Sequence, residues 1–150
     1  RGIYVIDMDS GEWEPLMLGT SGWPPKWSPD GKQITFTINT PIDPQIYIMD
    51  VETRDFAQRT NVPQPQSACD SCWSPDGKKI AYSVQAPGQD PHWRTWIMNA
   101  NGKSQHQLDC KHSIIPSSWV PTSADIFVEQ RAVHSSGKLA ATWGRLKRNG

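Results

Sequence analysis

Trp27-Ser28-Pro29-Asp30-Gly31-Lys32 returns as Trp73-Ser74-Pro75-Asp76-Gly77-Lys78, a period of 46 residues. A third step reaches Trp119, followed by Val120-Pro121-Thr122-Ser123, which keeps the Trp and the Pro and loses Asp-Gly. Internal repetition at this period is the signature of a fold built from stacked identical units. Pro presets φ at the first corner of a turn, Asp bonds nearby backbone amides, and Gly accepts a positive φ, so the hexapeptide predicts a tight turn after each Trp.

Working outward, Ile34-Thr35-Phe36-Thr37-Ile38 follows the first turn, Ile80-Ala81-Tyr82-Ser83-Val84 the second and Asp125-Ile126-Phe127-Val128 the third. Each alternates large apolar with small or polar residues, the period of a strand. Next come Tyr4-Val5-Ile6-Asp7, Tyr47-Ile48-Met49-Asp50 and Trp96-Ile97-Met98-Asn99. Polar turns at Asp9–Gly11, Glu52–Arg54 and Asn101–Lys103 then lead to weaker strands near Trp13–Leu18, Asp55–Thr60 and Ser104–Leu108. The pattern predicts four short strands per repeat, the size of a β-propeller blade at roughly 40–45 residues. Each Trp is expected to pack between neighbouring blades.

The motif W-S-P-D-G-K-x-I-x-[FY] followed by I-Y-[IV]-M-D resembles the repeat of TolB and of the many bacterial proteins that share its WD40-like propeller. The resemblance runs over residues 3–130, well in two copies and degenerately in the third. It implies an all-β chain of four-stranded blades, residues 1–130 forming a partial TolB-like β-propeller. Residues 131–150 form a basic tail, read as a last strand, a short helix or a disordered end. The repeat supplies twelve strands, about three blades' worth. Propellers usually carry 4–8 blades, so the expectation is a portion of a longer propeller, with a ring completed by a second copy as the alternative. The opening Arg1-Gly2-Ile3, lacking an initiator Met, reads as a truncated or processed start inside a strand. The tail resembles the C-terminal sequence of some multi-repeat bacterial proteins.

Composition narrows the function. Fifteen Lys and Arg balance fifteen Asp and Glu, and the pI is near 7.1. Neither value points to nucleic acid or an anionic membrane as partner. No apolar run approaches the ~20 residues of a membrane-spanning helix. No Gly-x-Ser-x-Gly nucleophile elbow is present (Gly19-Thr20-Ser21-Gly22 lacks the spacing), nor His-Glu-x-x-His, nor a phosphate loop. No catalytic residue and no cofactor are expected.

Trp27, Pro29, Asp30, Gly31, Trp73, Pro75, Asp76, Gly77 and Trp119 read as structural, because they recur wherever the fold needs them. The residues unique to one repeat cluster in the longer loops at one end of the blades: Trp23, Asp43, His92, Trp93, Arg94 and His112. Exposed Trp and Arg are common anchors at protein interfaces, and Trp faces also stack on sugars.

Cys69-x-x-Cys72 precedes Trp73, and Cys110 and His112 lie about 40 residues on. Cys72 as a small core residue beside the Trp is the plainest reading. A disulfide using Cys110 and a Cys₃His zinc site of Cys69, Cys72, Cys110 and His112 are the alternatives. The zinc reading needs Cys69 and Cys72 on one face, and residues three apart on a strand face opposite ways unless a bulge intervenes.

The reading is a non-catalytic protein-binding or scaffold propeller, and the TolB resemblance implies an extracytoplasmic or periplasmic bacterial location. The alternatives are the accessory propeller of a prolyl-oligopeptidase-like serine peptidase and a glycan-binding propeller. A protein partner is expected, with self-association a further possibility, and no nucleic acid or membrane insertion.

Overall fold

The computed structural model of the chain describes residues 2–19, 24–38, 44–85 and 93–109, together with the backbone of three strands beyond them. Strands β1 (Gly2–Ile6) and β2 (Trp13–Leu18) form a first, two-stranded sheet. Strands β3 (Lys26–Trp27), β4 (Gln33–Ile38), β5 (Gln45–Asp50) and β6 (Phe56–Gln58) form the second. The third holds β7 (Ser67–Trp73), β8 (Lys79–Gln85), β9 (Trp93–Asn99) and β10 (His106–Gln107). The fourth holds β11 (Ile115–Trp119), β12 (Ile126–Val133) and β13 (Leu139–Thr142). Within each sheet, neighbours in sequence are antiparallel neighbours in space. These are the meander blades that the repeat predicts, about three blades' worth in all.

The last sheet has one strand more than the repeat count allows. β12 runs on to Val133, and that extension gives Leu139–Thr142 a partner through the pairs Gln130↔Thr142 to Val133↔Leu139.

The turns between the first two strands of each full blade explain the hexapeptide. The Ser28 amide donates to Gln33 O at 2.8 Å, and the Gly31 amide to Ser28 O at 3.0 Å. Ser28 Oγ–H donates to Asp30 Oδ1 at 2.6 Å and accepts from the Gln33 amide at 2.9 Å. The Lys32 amide closes on the same Asp30 oxygen at 3.1 Å. The second copy repeats the pattern through Ser74, Asp76, Lys78 and Lys79. Gly31 and Gly77 sit at φ +70 and +68, where a side chain would be strained.

These bonds favour the charged carboxylates. The Ser hydroxyl first and the Lys amide second hold Asp30 and Asp76 below the ordinary value of 3.8. A folded pKa below the unfolded one contributes stability above the unfolded value, and that contribution is lost as pH falls through the folded one. Stability is therefore expected to be insensitive to these groups above about pH 4 and to decline below it. An Asp30→Asn, Asp76→Asn double variant keeps an acceptor oxygen without the titration. Chemical denaturation at a series of acid pH values should show a shallower decline in it than in the wild type. An equally steep decline would assign the acid loss to other groups.

Packing shows why the blades radiate. β5 sends Ile46 and Ile48 to one side, into a core with Ala68, Trp73, Ile80, Tyr82, Val84 and Met98 of the following blade. It sends Met49 to the other side, into a core with Ile34, Phe36 and Ile3 and Leu16 of the preceding sheet. A sheet covered on both faces by other sheets reads as nearly continuous burial, as in β8, where Ile80 to Val84 are all buried. Trp73 lies between blades as expected, only 7% exposed, and its Nε1–H donates to Lys26 O on β3 at 3.2 Å. Ser71 Oγ–H donates to Thr35 Oγ1 across the same junction at 2.8 Å.

Trp27 departs from that expectation and is 49% exposed. The seat of Trp73 is built on the innermost strand of the preceding blade. The β1–β2 sheet has no such strand among the described residues, so Trp27 has less to lie against.

Candidate functional site

The loops joining the second to the third strand of a blade, and one blade to the next, open at a common end. Trp23, Asp43, His92 and His112 lie outside the described residues. Trp93 and Arg94 open β9 at that end, opposite Gln85 and Val84, and both are half-buried.

Arg94 has an informative counterpart. Gln45 opens β5 and stands opposite Ile38, the repeat equivalent of Val84. Its side chain is buried and fully engaged. Gln45 Oε1 accepts from Thr60 Oγ1 at 2.8 Å and from the Val62 amide at 3.2 Å, while its Nε2 donates to Val62 O at 3.1 Å. The Ile46 amide donates to Thr60 Oγ1 at 2.9 Å. These bonds, with the Ala68 amide donating to Pro44 O at 2.8 Å, fix the linker between β6 and β7. In the next blade the same backbone step is kept, since the Arg59 amide bonds Ile46 O and the Leu108 amide bonds Thr95 O. That register puts Arg94 and Asp109 where Gln45 and Thr60 stand. The Arg94 side chain nevertheless makes no hydrogen bond or ion pair with the described residues. A guanidinium with five donors in a fixed fork is thereby held at the loop-bearing end, on the face of the sheet opposite Trp93.

The cysteine question turns on β7. Cys69 pairs with Ser83 and Cys72 with Ala81, so Asp70 and Ser71 together face Tyr82 alone. This is a bulge, and Asp70 occupies it at φ +47. Partners two apart on β8 share a face, so the bulge does bring Cys69 and Cys72 to one face, the side away from Trp73. Both cysteines are buried. Cys72 packs with Ala81 and Ile97. Burial, and then the charge of Asp70, push the Cys69 thiol well above its ordinary value. Cys110 and His112 lie outside the described residues, and among those described no three potential ligands group to hold a metal.

The thiolate is the reactive form of cysteine, so both thiols are expected to resist a disulfide reagent in the folded chain. In a Cys110→Ser background, titration near pH 8 should modify neither until guanidinium is added. Fast modification of either in the native state would contradict this burial.

Two polar features escaped the sequence reading. The Gln45–Thr60 clamp carries no motif, since Gln and Thr are ordinary at strand ends. Gln105 ties blade to blade, its Nε2 donating to Arg59 O and Gly102 O at 2.9 Å while its Oε1 accepts from Tyr82 OH at 2.9 Å. The Asn101-Gly102 turn was the available signal for the second.

No protein-family model and no curated protein matches the chain. Solved structures do. TolB from Acinetobacter baumannii aligns with a TM-score of 0.71 and 26% identity over 95% of this chain and 35% of its own. A putative TolB from Agrobacterium tumefaciens gives 0.62 and 24% over 71% of this chain and 40% of its own. Hydrazine synthase of Kuenenia stuttgartiensis gives 0.64 and 22% over 87% of this chain and 44% of its own, a likeness of fold alone. The chain thus spans less than half the length of each of these structures. Repeat motif, blade topology and the likeness to TolB agree, and the chain has the blades of a TolB-type β-propeller fold.

Proposed function

We propose that the chain is a non-catalytic protein-binding or scaffold module whose contacts lie on the loop-bearing end of the blades. The observation that carries this reading is Arg94, set beside Trp93 in the place where the preceding blade spends Gln45 on its own linker. The recurrent acids have structural employment instead, since Asp30 and Asp76 are bound into their turns. A half-buried Arg at a strand end suits a partner segment with a carboxylate, because the stem is already ordered and the fork remains to be filled. Trp23, Asp43, His92 and His112 complete the proposed surface. The likeness to TolB supports an extracytoplasmic, bacterial setting for that contact.

A displayed peptide library tests the proposal. Peptides selected on the wild-type chain should lose about tenfold or more in affinity for Arg94→Glu and for Trp93→Ala, as expected for an interface anchor. They should bind Lys103→Ala, at the opposite end of the blade, unchanged. If no peptide is selected, or if binding ignores both loop-end variants, the proposal fails.

A further inference from the structure

We propose that the linker between β6 and β7 is the second half of the Arg94 contact, and that Pro63 and Pro65 seat an aromatic ring of the partner segment whose carboxylate Arg94 takes. The inference rests on the reading of Arg94 as an anchor and adds to it the chemistry that selects the partner.

Register places the two features side by side. Ala68 pairs Val84 and Val84 pairs Arg94, so the three stand in one cross-strand row on one face of the third sheet. Val62 packs against the core to which Ala68 and Val84 belong. The linker therefore passes over the row that Arg94 ends, at the loop-bearing end. Pro63 to Gln66 lead straight into β7, and β7 lies two strands from β9. Neighbouring strands are about 4.8 Å apart, which puts the start of β7 about 10 Å from the β9 position of Arg94.

The linker is exposed and at the same time fixed. Asn61, Pro63, Gln64 and Pro65 are exposed. Val62 is held by Gln45 at both its amide and its carbonyl, Thr60 O accepts from Gln58 Nε2 at 2.6 Å, and the Gln66 amide donates to Pro63 O at 2.9 Å. The Ala68 amide, bonded to Pro44 O, ties down the far end. The order that binding demands of a loop is thus already present. What the linker offers has a definite character. Pro63 and Pro65 carry no amide N–H, Pro63 O is engaged by Gln66, and residues 60–66 contain no charged side chain. Two rigid pyrrolidine rings remain, and they bury apolar area without losing rotamer freedom. Exposed prolines are met by aromatic side chains in peptide recognition, and aromatic residues are enriched at interfaces. An extended segment rises about 3.3 Å per residue, so a span of about 10 Å sets the acid and the aromatic residue of the partner roughly three positions apart.

The displayed peptides whose affinity falls with Arg94→Glu decide this. Their sequences should share an aromatic residue about three positions from an acid. In such a peptide, replacing the aromatic residue by Ala should weaken binding to the wild type about tenfold or more, and binding to Pro63→Ser by under about threefold, because that variant has already lost the seat. Replacing the acid by its amide should weaken binding to the wild type and to Pro63→Ser by the same factor, since Arg94 is intact in both. Pro63→Ser keeps the carbonyl that Gln66 uses, and unchanged far-UV circular dichroism keeps loss of fold apart from loss of contact. Arg94-dependent peptides without the aromatic residue, or an aromatic loss as large on Pro63→Ser as on the wild type, overturn this inference and leave the Arg94 reading standing. Peptides indifferent to Arg94→Glu overturn both.

Discussion

Trp73→Ala is expected to lower the free energy of unfolding by about 3–5 kcal/mol, whereas Trp27→Ala, the same residue of the same motif one repeat earlier, should cost under about 1 kcal/mol. Trp73 fills the junction between two blades, touching the core of Ile46, Ile48, Ile80, Tyr82 and Met98. Removing it deletes a large apolar surface and leaves a cavity that two rigid sheets cannot collapse around. The change also takes from Lys26 O the indole N–H, leaving it the longer bond from Thr35 Oγ1 at 3.4 Å. Trp27 is half out in solvent and has only the two-stranded sheet before it. Urea denaturation followed by far-UV circular dichroism separates the two. Equal losses would mean that both residues are buried alike, and the junction model for the first sheet would be wrong.

Gly102→Ala carries the second largest expected loss, about 2–4 kcal/mol. Gly102 sits at φ +82, and a non-Gly residue there costs roughly 1–2 kcal/mol. An added Cβ would also lie 3.1 Å from Arg59 O and 3.3 Å from the Arg59 side chain. Arg59 O is the acceptor that Gln105 uses to hold the two blades together, so relief of the crowding loosens a hydrogen bond whose net contribution is about 0.5–1.5 kcal/mol. Gly31→Ala is the control, because Gly31 has a similar φ of +70 but open space around it. It should show the backbone part of the loss alone. If the two variants lose the same amount, the blade-to-blade contact at Gly102 contributes nothing.

Much of this fold was legible in the sequence because a repeat states its own boundaries. The Ser-Pro-Asp-Gly turns, the alternation of Ile34 to Ile38 and Ile80 to Val84, and the placing of Trp73 between blades all follow from local chemistry copied at a fixed period. What failed to show was long-range or non-repeating. Trp27 and Trp73 are followed by the same five residues, and the strand inventory of the preceding sheet separates their environments. The bulge at Asp70 and Ser71 was stated as the condition for Cys69 and Cys72 to share a face, but no residue type in Cys-Asp-Ser-Cys announces it. β13 stayed one of three readings, beside a short helix and a disordered end, because Leu139-Ala140-Ala141-Thr142 has little alternation and its pairing depends on the unexpected length of β12. At the proposed binding end, Trp93 and Arg94 were legible as residues unique to one repeat. The contrast that gives Arg94 its meaning, a Gln45 bound through Thr60 and Val62, needed coordinates.

Methyl NOEs from Ile48 and Met49 test the central claim most directly, because these neighbours on one strand are assigned to opposite junctions. Ile48 should show cross-peaks to Tyr82, Met98 and Trp73 and none to Ile3 or Leu16, while Met49 should show the reverse. Both methyl groups reporting the same set of neighbours, or one of them reporting none because its side of the sheet faces water, would contradict radiating blades.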